Sequence, residues 1–181
     1  MTLTEMKTKV YSLIEEFDEN EENLTKDEDL ATKMNSVINQ IQTELARFKK
    51  IGAYKEIEVQ EGDIKDFSDI DKNIYQINVI KGLNCEIIDK KILCNETGTA
   101  KVFYFKYPTL IDDDTDDDMY EFELDRDALE IMPYGVAADL LKSDVSANFG
   151  SIYAQRYNQF KSELDSRNTM PSISFEGGIN I

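Results

Sequence analysis

The sequence contains no histidine and no tryptophan, and it has only two cysteines and three prolines. Without imidazole, no scheme with histidine as base, nucleophile or zinc ligand is available. Without indole, a sugar-stacking role would fall to tyrosine or phenylalanine. Two cysteines, Cys85 and Cys94, are too few for a disulfide scaffold. Basic residues are also scarce: Lys and Arg number 20 against 37 Asp and Glu, a net charge of −17 over 181 residues. That balance argues against affinity for nucleic acid, because each phosphate contact needs a cation, and against anionic membrane surfaces. No basic start leads into an apolar stretch of about 7–15 residues, so no secretory leader is expected. No window approaches the ~18 apolar residues of a membrane span. The expectation is a protein made in the cytoplasm with no membrane association.

Catalytic motifs are missing too. There is no Gly-x-Ser-x-Gly and no Gly-x-x-x-x-Gly-Lys phosphate loop. Carboxylates are so abundant that a chance pair has no specificity as a glycosidase acid and base. The sequence therefore reads as a non-enzyme that needs no cofactor.

What is present is patterning. Leu3, Met6, Val10, Leu13, Ile14 and Phe17 recur every three or four residues, one face of a helix. Thr2 with Glu5 fits a capping box, and Thr25 with Glu28 fits another. Leu30, Met34, Val37, Ile38, Ile41, Leu45 and Phe48 form a second helical face, expected to run to about Lys50 and stop at Gly52. The texture then changes to alternation. Ile57 and Val59 alternate with Glu56 and Glu58, and Tyr75, Ile77 and Val79 with Gln76 and Asn78. Val102 and Tyr104 take one face of a last strand, Phe103 and Phe105 the other. If Asp89-Lys90 is a two-residue turn, Cys85 stands directly opposite Cys94. The pair is then either a cross-strand redox site or two small apolar neighbours in a reduced protein, and the compartment favours the second.

A short strand is expected at Tyr120, Phe122 and Leu124, a helical turn or two over 126–132, and a helix start at Pro133. Val136, Ala137, Leu140 and Leu141 continue that face. Ser143 or Asp144 is placed to cap a longer helix carrying Val145, Phe149, Ile152, Tyr153, Phe160 and Leu164. On it, Ala147, Gly150 and Ala154 allow close helix approach, most simply within one chain. The fold class is α+β: a helical bundle formed by both chain ends (1–51 and 126–166), an inserted antiparallel β module with an acidic loop (52–125), and an extended C-terminal arm (167–181).

Two surface features remain. Asp112, Asp113, Asp114, Asp116, Asp117 and Asp118 form an acidic run with no glycine where a calcium loop needs its sharp turn. It reads as a solvated, self-repelling loop rather than a metal site. Residues 108–135 hold one base and eleven acids, most of the excess charge of the chain. The arm carries Met170, Ile173, Phe175, Ile179 and Ile181, five large apolar residues. Either it docks on a partner, for instance as an added strand, or it packs on the chain's own β module.

Three stretches bear a family resemblance: Met132-Pro133-Tyr134-Gly135-Val136-Ala137-Ala138-Asp139-Leu140-Leu141-Lys142-Ser143-Asp144, then Tyr153-Ala154-Gln155-Arg156-Tyr157 with Leu164-Asp165-Ser166-Arg167, and Ile173-Ser174-Phe175-Glu176-Gly177-Gly178. Residues 36–47 belong to the same pattern. Together they resemble head–tail connector (adaptor or neck) proteins of tailed bacteriophages of Firmicutes. The resemblance covers both helical ends and the tail and is weak over 52–125. It implies a virion structural protein at the head–tail junction, made in the host cytoplasm. It further implies a homo-oligomeric ring, commonly a dodecamer, beneath the portal protein, next to a tail or head-completion protein. The C-terminal arm would dock on a neighbour, and DNA would pass through the ring without specific binding. The acidic loop would then be exposed or channel-facing, where it repels phosphates. The alternative is a phage tail accessory or surface binding module, with Tyr54, Tyr75, Tyr104 and Tyr107 as stacking faces. A third idea is an acidic DNA mimic.

Overall fold

The computed structural model describes residues 1–15, 28–143 and 149–164. The elements run α1 (Leu3–Glu15), α2 (Glu28–Phe48), β1 (Ile51–Val59), β2 (Ile64–Asp66), α3 (Phe67–Ile70), β3 (Ile74–Lys81), β4 (Cys85–Ile88), β5 (Lys91–Cys94), β6 (Gly98–Lys106), α4 (Arg126–Leu140) and α5 (Phe149–Glu163). A 3-10 turn, Leu141–Ser143, follows α4. The protein is α+β. Its N-terminal helices pack on its C-terminal helices, with α4 touching α1, α2 and α5. Between them sit two antiparallel three-stranded sheets, β1-β6-β3 and β2-β5-β4. The C-terminal arm lies outside the described residues, as do Phe17, Thr25, Asp144, Val145 and Ala147.

The helical stripes explain the bundle core. Leu3, Met6, Val10 and Ile14 of α1 meet Met34, Ile38, Ile41 and Leu45 of α2 and Met132, Val136 and Ala137 of α4. Each stripe recurs at helical spacing, so burying one face of each helix removes most of its apolar surface from water. The Thr2–Glu5 capping box forms in both directions: Thr2 N–H donates to Glu5 Oε2 (3.0 Å) and Glu5 N–H to Thr2 Oγ1 (3.3 Å). Tyr153 of α5 donates to the Leu13 carbonyl (2.7 Å), tying the last helix to the first. Gly135 lets α4 and α5 approach closely, since a Cβ there would meet the Tyr157 ring at 2.9 Å and Ile41 Cγ2 at 3.2 Å. Gly150 does the same from α5, where a Cβ would meet the Leu141 carbonyl oxygen at 3.0 Å, so its small-residue contact is within the chain.

The β module has its own core, shared by both sheets: Val59, Phe67, Ile70, Ile77, Ile92, Cys94, Val102 and Tyr104. The β4–β5 hairpin takes the register expected from an Asp89-Lys90 turn, Cys85 opposite Cys94 and Ile88 opposite Lys91. Asp89 itself is left-handed (φ 55°), a conformation Asp tolerates better than most residues.

Several expectations are corrected. Pro133 does not start a helix; it lies inside α4, which begins seven residues earlier behind Asp125. The Asp125 carboxylate accepts from Ala128 N–H (2.9 Å) and opens the helix there, and Pro133 is buried in the packed face of α4, where tertiary packing offsets what the proline costs. Gly52 does not end α2. It stands in β1 opposite Phe105, and α2 stops at Phe48. Phe48 is exposed, not on the packed stripe, and Ile152 likewise faces solvent. Residues 120–124 form no paired strand beyond a single bridge from Thr2 to Glu121, although Phe122 and Leu124 are buried. Alternation in β3 is broken by irregularities between Ile74 and Gln76 and between Ile77 and Val79. Ile77 therefore points inward while Val79 points outward. Helix α3 was not anticipated; Asp66 and Asp69 cap it reciprocally.

A buried polar clasp joins the bundle to the chain returning from the sheets. The Asn39 amide donates to the Ile111 carbonyl (2.7 Å) and accepts from the Ile111 N–H (2.8 Å), as a neighbouring strand would. Gln42, fully buried, donates to Asn39 Oδ1 (2.8 Å) and the Thr109 carbonyl (3.2 Å), and accepts from Tyr120 Oη (3.2 Å). Removing the Asn39 amide strands two backbone groups. Asn39→Ala is expected to destabilise the fold by about 1–3 kcal/mol in chemical denaturation; a loss below about 0.5 kcal/mol would count against the clasp.

Candidate functional site

Two surfaces stand out, one acidic and one aromatic. The acidic run follows directly from the clasp. Asp112, Asp113, Asp114, Asp116 and Asp118 are exposed and Asp117 is half-buried. The loop lies over the start of α1: Leu3 N–H donates to the Tyr120 carbonyl (3.1 Å) and Thr4 N–H to the Asp117 carbonyl (3.2 Å). Thr4 Oγ1 donates to Asp118 (2.6 Å), and Lys7 Nζ pairs with Asp117 (2.6 Å). Negative groups here meet the positive end of a helix, which offsets part of their mutual repulsion. Asp116 accepts from the N–H groups of Asp118 (3.0 Å) and Met119 (3.3 Å), and Asp112 accepts from Thr115 Oγ1 (2.6 Å). The run is thus a set of local turns whose carboxylates bond to its own backbone, to Thr115 and to α1. Among the described residues, no three His, Cys, Asp or Glu side chains converge to hold a metal ion.

The aromatic surface is the outer face of the β1-β6-β3 sheet. Register places Tyr54 opposite Phe103 and Gly52 opposite Phe105, with Val79 beside Phe103 on the other flank. Tyr54 and Phe103 pack at 5.6 Å between ring centroids, Tyr75 and Phe105 at 6.5 Å, and Tyr75 and Tyr107 at 4.8 Å. A lysine stands over three of these rings: Lys101 over Tyr54 (5.0 Å), Lys81 over Phe103 (5.4 Å) and Lys50 over Phe105 (4.8 Å). Lys101 also pairs with Glu56 (2.8 Å). Tyr54 is 61% exposed and Tyr107 43%, a stripe of ring surface that a single chain leaves open to water. The irregularities in β3 are what bring Tyr75 and Val79 to this face. The lysines were not singled out from sequence. Their signal was available in register, since Lys101 lies two residues from Phe103 and opposite Lys81.

The four tyrosines considered as stacking faces divide. Tyr54, Tyr75 and Tyr107 share the outer surface. Tyr104 turns inward, 5% exposed, and its hydroxyl donates to Asp71 (3.1 Å). The arm residues Met170, Ile173, Phe175, Ile179 and Ile181 lie outside the described residues. A groove of about 540 Å³ runs between α2, α4 and α5 past Gly135, Ala138, Gly150 and Ala154. Glu44 and Lys161 pair beside it (2.6 Å).

No family model matches the chain, and no curated protein matches it.

Burial, then the hydrogen bond and charge of Asp71, push the Tyr104 hydroxyl up to about 12. The protonated form is the one the fold favours, so its contribution is full below the unfolded value near 10 and is lost as pH rises toward 12. Tyr104→Phe is expected to flatten the loss of stability between about pH 10 and 12 in denaturation curves. An unchanged slope there would show that Tyr104 does not couple folding to pH.

Proposed function

We propose that this chain is a structural head–tail connector (adaptor) protein of a tailed bacteriophage. In this reading it is a non-enzymatic virion component that forms a ring beneath the portal, commonly of twelve copies. DNA passes through the ring without specific binding. The chain is made in the host cytoplasm and ends at the neck of the particle, between the portal and a tail or head-completion protein.

One observation carries the reading. The segments that resemble such proteins are far apart in sequence, yet they pack as one unit. Residues 36–47 lie in α2, 132–143 in α4 and its closing turn, and 153–157 in α5. These elements pack as α2 on α4 and α4 on α5, and Gly135 sits between Ile41 and Tyr157, one residue from each of the other two segments. The stretch of weak resemblance, 52–125, holds both sheets and the segment that returns from them over the bundle, where Ile111, Phe122 and Leu124 join the helical core. The exposed acidic loop supplies what a DNA passage requires, since like charge keeps phosphates from adhering.

The test mixes the purified chain with its portal and images the product by electron microscopy. Rings on the portal are expected. A chain lacking residues 168–181 is expected to keep its circular dichroism spectrum and lose portal association. A truncated chain that still joins the portal would overturn the role of the arm, and no association by the intact chain would overturn the connector reading.

The aromatic–lysine face favours a second reading, a tail accessory or surface binding module. Capture of a glycan by the full chain, abolished by Tyr54→Ala, would support it over the first.

A further inference from the structure

We infer that Cys85 and Cys94 form a thiol–disulfide exchange site on the β4–β5 hairpin, which takes small-molecule disulfides and closes into a cross-strand bond. The two residues are directly opposed, and Cys85 Sγ donates to Cys94 Sγ across 3.5 Å. Both thiols are free. The type of pair decides whether a bond fits. Asn95 N–H donates to the Asn84 carbonyl (2.9 Å), so the neighbouring pair carries the ladder bond. The backbone of Cys94 is turned the other way: its N–H donates to the Asp63 carbonyl (2.9 Å) and its carbonyl accepts from Gly62 N–H (2.8 Å). Cys85 and Cys94 are therefore a non-hydrogen-bonded pair, the class with the closer Cα atoms, about 4.5 Å apart. That lies at the short end of the span a disulfide bridges, about 4.4–6.8 Å. The sulfurs need to approach by only about 1.5 Å.

Exposure sets the order of events. Cys94 is fully buried, and Cys85 is half-buried. A disulfide R–S–S–R therefore reaches Cys85. The Cys85 thiolate attacks one sulfur, forms a mixed disulfide and releases one thiolate RS⁻. The Cys94 thiolate then attacks the Cys85 sulfur, forms the Cys85–Cys94 bond and releases the second. Two protein thiols lose two electrons and two protons, and the small disulfide is reduced to two thiols. Burial first, then the hydrogen bond and charge of Cys94 and the carboxylate of Glu96, push the Cys85 thiol up to about 11. Little thiolate is present at neutral pH, so the first step is slow and quickens about tenfold per pH unit. The exchange is thus suited to a lasting bond rather than a rapid sensor. The bond would pin β4, an outer strand that exposes Ile87 and Ile88, to β5, which is itself bonded to the Gly62–Asp63 turn.

The test uses the reduced full-length chain in millimolar oxidised glutathione, quenched with an alkylating agent at intervals and weighed intact. The wild type is expected to lose two hydrogen masses and both alkylation sites, faster at pH 9 than at pH 7. Cys94→Ser is expected to stop at one glutathione adduct on Cys85. Cys85→Ser is expected to resist modification while folded, as judged by circular dichroism. A wild type that keeps two alkylatable thiols, or halts at the mixed disulfide, overturns the proposal. So does an oxidised chain that melts below the reduced one, because the pair would then be strained; a rise of about 5–10 °C is expected.

Discussion

The grip of one amide on one peptide group seats the chain returning from the sheets on the helical bundle. Asn39, on α2, satisfies both the N–H and the carbonyl of Ile111. The chain has just left β6 and must return to the bundle through residues with no secondary structure of their own. Such a segment is costly to bury, because its backbone has no ladder to join. Asn39 and Gln42 act as that ladder from the side of a helix. With Ile111 seated, Tyr120 reaches Gln42, Glu123 pairs with Lys106 and caps the Thr109 N–H, and Asp125 opens α4. The placement of the acidic run on α1 and the start of α4 both follow from this contact.

The features legible in sequence were those set by periodicity. The stripes of α1 and α2, the division of both helical ends from a β module, and the β4–β5 register all follow from spacing and one turn. The misses share a cause. Pro133, Gly52 and the irregularities of β3 are places where tertiary contact overrides local preference. Gly52 can sit in a strand because Phe105 lies opposite it. Asn39 and Gln42 were overlooked because polar residues at the margin of an apolar stripe look like its solvent edge. The sign was there: Gln42 lies four residues after Ile38 and three before Leu45, within the stripe. The aromatic face was half visible, in the alternation of β6, but the lysines over it depend on three strands at once.

Charge is divided between distinct surfaces. The acidic turns cover a helix start, and the lysines of the sheet stand over rings. A large net charge is thus compatible with a sheet face that sets lysines over aromatic rings. For the proposed connector, this separates the surface that would repel DNA from surfaces free to meet other proteins.

The placement of the bundle's halves at opposite ends of the polypeptide bears on how the molecule assembles. Strand pairing in the β module joins residues 51–106 among themselves. The partners of α1 and α2 are α4 and α5, roughly a hundred residues later. During synthesis the sheets can therefore form while the first two helices still lack a cover for their apolar stripes. The bundle can close only when α4 and α5 have emerged. That order brings the long-range contacts last, after the module between them has shortened the loop that must be closed.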